Sequence, residues 1–311
     1  MRARVLLPVA LGAWLAAGCA SIPPPPVETG QLFLWQVERS DGRGGVAHLL
    51  GSVHMSKETF SFDPAVERAF VDADTLVLEV DPRELEPAEM ARLAVAKGQF
   101  TGGRKLDQAV DPETWAALTR YLDERRLPLA MFRPLEPWYA LLVLQLMALE
   151  VEGFDPGQGV ETTLARVAEE AGKPMLGLET AAEQLDVFDA LPLEVQERML
   201  REFLLQDEGD GGQAGAQGLS LLIDAWRKGD AARVEAEVFD ELARDPSLTP
   251  YFEHLYFERN RHMAHDIAEL VDGGGRWFVA VGAAHVVGAR GIPSLLSQRG
   301  YAVRRVPKSG R

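Results

Sequence analysis

Between positions 31 and 307 the apolar residues fall into two spacings. Short β-rich runs of strand length recur: LFLWQVE, VAHLLGSVH ending at His54, ADTLVLEV, GKPMLGLET, RWFVAVGAAH ending at His285, and YAVRRVP. The first two flank RSDGRGG, whose glycines suit a hairpin connection. Between other runs the spacing turns helical. From Val160, the positions Leu164, Val167, Ala168 and Ala171 repeat at helical intervals, Gly172 supplies a stop, and Pro174 opens the next segment. IPSLLSQR reads as a helix between the last two strands, and WYALLVLQLMAL, at 12 residues, fits a buried helix better than a membrane span. DEGDGGQAGAQG is the one low-complexity break and predicts a mobile loop between helices. Strands alternating with helices predict an α/β fold over 31–311. The expected form is a central, mostly parallel mixed sheet with flanking helices and an inserted helical lobe drawn from about 84–150 and 181–270.

Two of these strands stop on the same signature, Gly-x-x-His, at Gly51–His54 and Gly282–His285. Glycine three residues before the histidine lets another backbone or a ligand come close. Two other apolar strands are interrupted by a carboxylate, Glu79 in ADTLVLEV and Glu179 in LGLET. A charge in a fully buried strand costs several kcal/mol unless it is paired, so such residues belong at a strand end facing a cleft or a cation. If these strands are parallel neighbours, all four side chains gather at the C-terminal edge where open α/β sheets bind ligands. A single histidine of this kind is more often a core residue than a catalytic one, and the fourfold pattern brings the two readings level.

Arg259 adds a fifth candidate. In YFEHLYFERNRHMAHDIAELV the residues Phe252, Leu255, Tyr256, Met263, Ile267 and Leu270 form one helical stripe. At about 100° per residue, Arg259 falls roughly 20° from Phe252, inside that stripe. Its guanidinium must therefore be paired or reach a pocket, unless its stem packs while its head escapes to water. The same spacing puts His254 and His265 on the polar side and His262 on the flank, while His48 is a strand residue with a structural reading.

The N-terminus, MRARVLLPVALGAWLAAGCA, has two arginines before a short apolar run and small residues leading to Cys19, the pattern of an export signal over 1–18. LAAGC resembles a bacterial lipobox, with Ala16 three places before the cysteine. An ordinary cleavable signal with an incidental cysteine is the other reading. Cys19 is the single cysteine, so the exported chain makes no internal disulfide. SIPPPPVETG then reads, within 19–30, as a stiff polyproline spacer from a membrane. These features predict a lipoprotein of the cell envelope, facing the periplasm and anchored in the outer membrane through Cys19. The formal charge is −15, and removal of 1–18 takes two of the 32 basic residues and none of the 47 acidic ones, leaving −17. Such a surface repels phosphate backbones and argues against nucleic-acid partners. The chain has no Gly-x-Ser-x-Gly elbow, no phosphate-loop spacing in its glycine clusters DGGGRW and GARGIP, and no His-Glu-x-x-His helix. Any metal site must therefore be assembled from separate strands. No heptad seam marks an oligomer.

Five separated motifs, LLGSVHM, VLEV, GVETTLARVAEEAGKPMLGLET, ERNRHMAHDI and FVAVGAAHVVGARGIPSLLSQRGYAVRRV, resemble in order those of the TraB/PrgY/GumN family, which includes the Tiki proteins. The resemblance covers about 31–307. It implies a fold related to the erythromycin-esterase and ChaN-like group, and a site containing His54, His285, Glu79, Glu179 and Arg259. Tiki relatives are metal-dependent proteases using manganese or cobalt. By this resemblance His54, Glu79 and His285 are expected to hold a divalent ion (manganese, cobalt or zinc), Glu179 to act as general base, and Arg259 to orient a substrate carboxylate or stabilise an oxyanion. The expected activity is hydrolysis of a peptide or a small molecule. Sequestration of a peptide without turnover is one alternative, and capture of haem or a metal complex, as in ChaN-like lipoproteins, is another.

Overall fold

The computed structural model describes residues 27–310 apart from Glu86, Gly211 and Gly212; the signal segment 1–18 and Cys19 lie outside the described residues. Six strands, β1 (Gln31–Arg39), β2 (Val46–Ser52), β3 (Thr75–Val80), β4 (Met175–Glu179), β5 (Arg276–Gly282) and β6 (Tyr301–Pro307), form one sheet in the order β4-β3-β5-β2-β1-β6. β4, β3, β5 and β2 are parallel neighbours, and β1 pairs antiparallel with both β2 and β6. Five strands thus run one way and β1 opposes them, as the hairpin glycines predict. The apolar runs of β2, β3 and β5 are buried almost throughout, which parallel strands require when both faces are covered.

Helices cover the sheet and build the lobe. α1 (Pro64–Asp72) starts on Asp63, whose carboxylate accepts from the Ala65 amide, with Pro64 in the first turn. α2 (Pro87–Lys97), α3 (Pro112–Glu124), α4 (Leu129–Phe132) and α5 (Pro137–Val151) occupy the first lobe segment. α6 (Val160–Glu170) then packs on β3 and leads into β4. The second lobe segment holds α7 (Ala181–Asp189), α8 (Leu193–Asp210), α9 (Gln213–Lys228), α10 (Ala231–Arg244), α11 (Thr249–Phe252) and α12 (Glu258–Gly273). α13 (Ile292–Gln298) joins β5 to β6. α8 packs against α3 and α5, and α7 against α2, so the two lobe segments close on each other. None of the described helices is long and apolar enough to cross a membrane.

Two expectations change. The predicted loop DEGDGGQAGAQG is largely helical: α8 runs to Asp210 and α9 begins at Gln213. Ala216 and Leu219 are buried, so core packing overrides the low propensity of the glycines around them. The helix bearing Arg259 is also less regular than a constant turn per residue assumes. Glu253–Phe257 form a π-helical turn between α11 and α12. The wider turn lets three consecutive residues, Leu255, Tyr256 and Phe257, all be buried, which one face of a straight α-helix cannot do.

Candidate functional site

The strand order brings four predicted residues to one edge. In register, Gly51 pairs with Val281 and Ser52 with Gly282, while Leu78 pairs with Ala280 and Val80 with Glu179. Glu179, Glu79, the turn to His285 and the turn to His54 therefore follow one another across the C-terminal ends of β4, β3, β5 and β2. Arg259 reaches the same place from α12. Its Nε donates to Glu179 Oε2 at 3.0 Å, Nη2 to Glu79 Oε2 at 2.9 Å and to Glu179 Oε1, and Nη1 to the Leu255 carbonyl at 3.2 Å. All three nitrogens are engaged, and the Glu179 and Glu79 carboxylates raise the guanidinium pKa further despite desolvation. Gln184, on α7, donates to Glu79 Oε2 at 3.0 Å and to Glu179 Oε1 at 2.8 Å. Glu79 Oε1 accepts the Gly282 amide at 2.6 Å.

His54 and His285 differ in what holds them. His54 Nδ1 lies 2.8 Å from Glu161 Oε1, an oxygen that also accepts the Ser52 hydroxyl. Burial alone would lower the His54 pKa; the paired Glu161 and the charge of Glu79 outweigh it and place it at about 8. Glu161 is correspondingly held below the usual carboxylate range, the His54 and Ser52 contacts overcoming its burial. His285 Nδ1 lies 2.5 Å from Asn260 Oδ1. Asn260 Nδ2 donates to the Arg290 carbonyl at 2.9 Å, so its oxygen faces the imidazole and Nδ1 carries the proton. His285 Nε2 is then a lone pair, 3.8 Å from Glu79 Oε1. Burial, with the charge of Arg259, lowers the His285 pKa well below its ordinary value. Tyr256 packs on the ring at 5.6 Å between centroids.

Glycine is required at both motif heads for space. A Cβ on Gly282 would lie 3.0 Å from His54 Nε2, 3.3 Å from Glu79 Oε1 and 3.6 Å from His285 Cδ2. On Gly51 it would meet Val286 Cγ2 at 2.5 Å. Gly282 thus keeps open the volume between the functional side chains. His54, Glu79 and Glu161 each offer a ligand atom within 4.8 Å of the other two, and Glu161 Oε2 is buried with no hydrogen-bond partner among the described residues. One imidazole and two carboxylates around a preserved space fit a divalent cation. In front of them opens a cavity of about 570 Å³.

Sequence reasoning missed Glu161, Ser52, Gln184 and Asn260. Glu161 lies in Gly159-Val160-Glu161-Thr162, a twin of Gly177-Leu178-Glu179-Thr180. The twin has a physical basis. A Cβ on Gly159 would lie 2.3 Å from the His54 carbonyl oxygen, and one on Gly177 2.6 Å from the Asp81 amide, so both glycines permit close backbone approach beside their glutamates. Thr180 then caps α7 by accepting from the Glu183 amide. Gln184 and Asn260 had a weaker signal, each a polar residue at a buried position of an otherwise apolar helical stripe. The remaining histidines lie elsewhere: His265 is exposed beside Glu269, His254 pairs with Glu258 at 3.1 Å, His262 is exposed, and His48 sits on β2 opposite Phe278.

Two curated relatives match most of the chain. The uncharacterized protein YbaP of Shigella flexneri is 22% identical over 251 residues, covering 80% of this chain and 87% of its own. YbaP of Escherichia coli K12 is 22% identical over 250 residues with the same coverage. No solved structure matches the chain. The sequence model of the TraB/PrgY/gumN family matches residues 33–305, and this protein belongs to that family.

Proposed function

We propose that this protein is a metal-dependent hydrolase of peptides, held at the cell envelope by a lipid on Cys19. The observation that carries the reading is the gathering of His54, Glu79 and Glu161 around a space that Gly282 keeps free, at the head of the 570 Å³ cavity. These three residues would hold the ion, which when bound lowers the pKa of a water and polarises a carbonyl. The other side chains divide the remaining work. His285, neutral and with Nε2 unprotonated, accepts a proton from the attacking water and returns it to the leaving amine. Asn260 keeps its tautomer fixed. Glu179, held in a fork by Arg259, is engaged at both oxygens, so we assign the base to His285 and give Glu179 the task of anchoring Arg259. Arg259, with every nitrogen engaged, holds Glu79 in place instead of reaching for substrate.

Metal analysis of the purified protein, followed by peptide cleavage with manganese, cobalt or zinc, tests the reading. One bound ion per chain and metal-dependent cleavage are expected, both lost in His54→Ala. A protein that binds no divalent ion and keeps its activity in His54→Ala and His285→Ala would be some other kind of molecule.

A further inference from the structure

Helix α5 carries a feature that the hydrolytic reading leaves unused. It is apolar on nearly every side, and its leucines differ in cover: Leu141, Leu144 and Leu149, with Trp138, are fully buried in the core. Leu142 and Leu146, one helical turn apart, are only partly covered. Large apolar side chains left partly open beside a cavity offer a surface to an apolar group of a ligand. Leu142 and Leu146 line the cavity in front of the site, with Leu185 and Phe188 of α7 and Met90 of α2. Ala165, a small residue of α6, lines it as well. The volume exceeds what a single side chain fills and lies in the range of ligand pockets.

The charges at this cavity narrow its occupant. Its carboxylates are Glu79, Glu161 and Glu169; its one arginine, Arg166, is engaged by Glu170 at 2.8 Å, and His54 by Glu161. An acidic side chain would meet repulsion there. A basic one would find Glu79 held by Arg259 and Gln184, Glu161 held by His54 and Glu169 exposed on α6, so against the leucines its charge would be desolvated without a partner. Thr162 and Gln184 interrupt the apolar wall. The Thr162 hydroxyl donates to the Pro156 carbonyl and Gln184 Nε2 to Glu79 and Glu179, which leaves their oxygens as acceptors for the N–H groups that a peptide backbone carries and a plain hydrocarbon chain lacks. We infer that the cleft selects peptides with an uncharged, bulky apolar side chain beside the scissile bond, seated between Leu142 and Leu146 of α5 and Leu185 and Phe188 of α7. This inference rests on the hydrolytic reading only for the position of the scissile bond.

The test uses synthetic peptides identical except at one position, which carries Phe, Leu, Ala, Asp or Lys, with the manganese-loaded protein. The Phe and Leu peptides are expected to be cleaved with kcat/KM at least about ten-fold above the Asp and Lys peptides, the scale on which a hydrophobic pocket discriminates. Ala165→Leu, which takes up cavity volume, should reduce kcat/KM about ten-fold more for the Phe peptide than for the Ala peptide. Leu146→Asp should abolish the apolar preference with manganese content unchanged. Equal cleavage of all five, or preference for a charged residue, overturns the inference while leaving the hydrolytic reading intact. If nothing is cleaved, the hydrolytic reading fails and thermal stabilisation by the same peptides decides the inference. Stabilisation by Phe and Leu peptides alone, lost in Leu146→Asp, supports it; indifference among the peptides, or stabilisation by decanoate and none of them, overturns it.

Discussion

The ends of β2 and β5 carry the same four-residue motif on adjacent parallel strands, and the structure gives them opposite electrostatics. His54 is held by a carboxylate, Glu161, with a pKa raised to about 8. His285 is held by an amide, Asn260, and burial beside Arg259 keeps it neutral. The difference lies in what each neighbouring element delivers. Helix α6 brings an acid in its first turn to one imidazole, and α12 brings a neutral acceptor to the other, together with a cation that disfavours a second charge. Repetition of a motif therefore does not repeat a role. It places two imidazoles beside Glu79, and the partners decide which can be charged.

The comparison breaks most severely if Arg259 is removed, since both halves lean on the glutamates it pairs. Arg259→Met leaves the buried Glu79 and the half-buried Glu179 without their cation, and loss of about 3–5 kcal/mol of stability is expected in urea unfolding. Arg259→Lys should recover only part of this, because a point charge cannot reproduce the fork to Glu179. A loss below about 1 kcal/mol in Arg259→Met would mean that the two carboxylates find water or protons without it.

Alanine in place of each motif glycine should separate the halves. Gly282 has φ −51°, open to any residue, so Gly282→Ala changes space alone. Its new methyl group crowds His54 Nε2 and Glu79 Oε1, and about a 100-fold loss of metal affinity is expected with folding little changed. Gly51→Ala meets Val286 and Phe33 in the core and should cost about 1–3 kcal/mol of stability, with metal affinity retained in the folded fraction. Isothermal titration with manganese and urea unfolding read the two effects, and matching outcomes in the two variants would remove the distinction.

The contrast in charge makes a pH prediction for the metal-free protein. The folded His54 pKa, about 8, exceeds its ordinary value of 6.5. The ion pair with Glu161 therefore contributes fully below about pH 6.5, and its contribution is lost as pH rises through about 8. The shift corresponds to about 2 kcal/mol. Unfolding at pH 6 and pH 9 should show this difference, reduced in His54→Gln. His285, with its pKa lowered, works the other way: near pH 6 the unfolded chain takes up a proton there that the folded state refuses, so its contribution rises with pH through about 6.5 and offsets part of the His54 change.

Much of this site was legible because strand periodicity and charge burial are local in sequence. Glu79, Glu179, His54 and His285 each end an apolar run, and one further assumption, parallel neighbours, was enough to bring them together. Arg259 emerged from helical phase even though a π-helical turn precedes it, because the turn adjusts which aromatics are buried and leaves the arginine inward. Glu161 was not legible in the same way. It stands at the start of an amphipathic helix, where an acidic residue is ordinary, and only the approach of α6 to the His54 carbonyl makes it special. The glycine-rich stretch at 207–218 failed for the opposite reason, since local propensity there yields to tertiary packing of Ala216 and Leu219.

The smallest expected effect falls on Asn260, and it distinguishes placing His285 from merely filling space. Asn260→Leu removes the acceptor for Nδ1–H and frees the ring to take either tautomer. About a ten-fold fall in kcat is expected, with KM and manganese content unchanged, at the lower end of what orienting partners contribute. Asn260→Asp keeps an acceptor in the same place but adds a negative charge beside the imidazole. That charge should raise the His285 pKa and carry the acid limb of the kcat profile to higher pH. A purely structural Asn260 would lower stability in both variants and leave that limb where it is. If the limb moves in Asn260→Asp alone, the two halves of the site differ because of the group behind each ring, and exchanging that group makes His285 behave like His54.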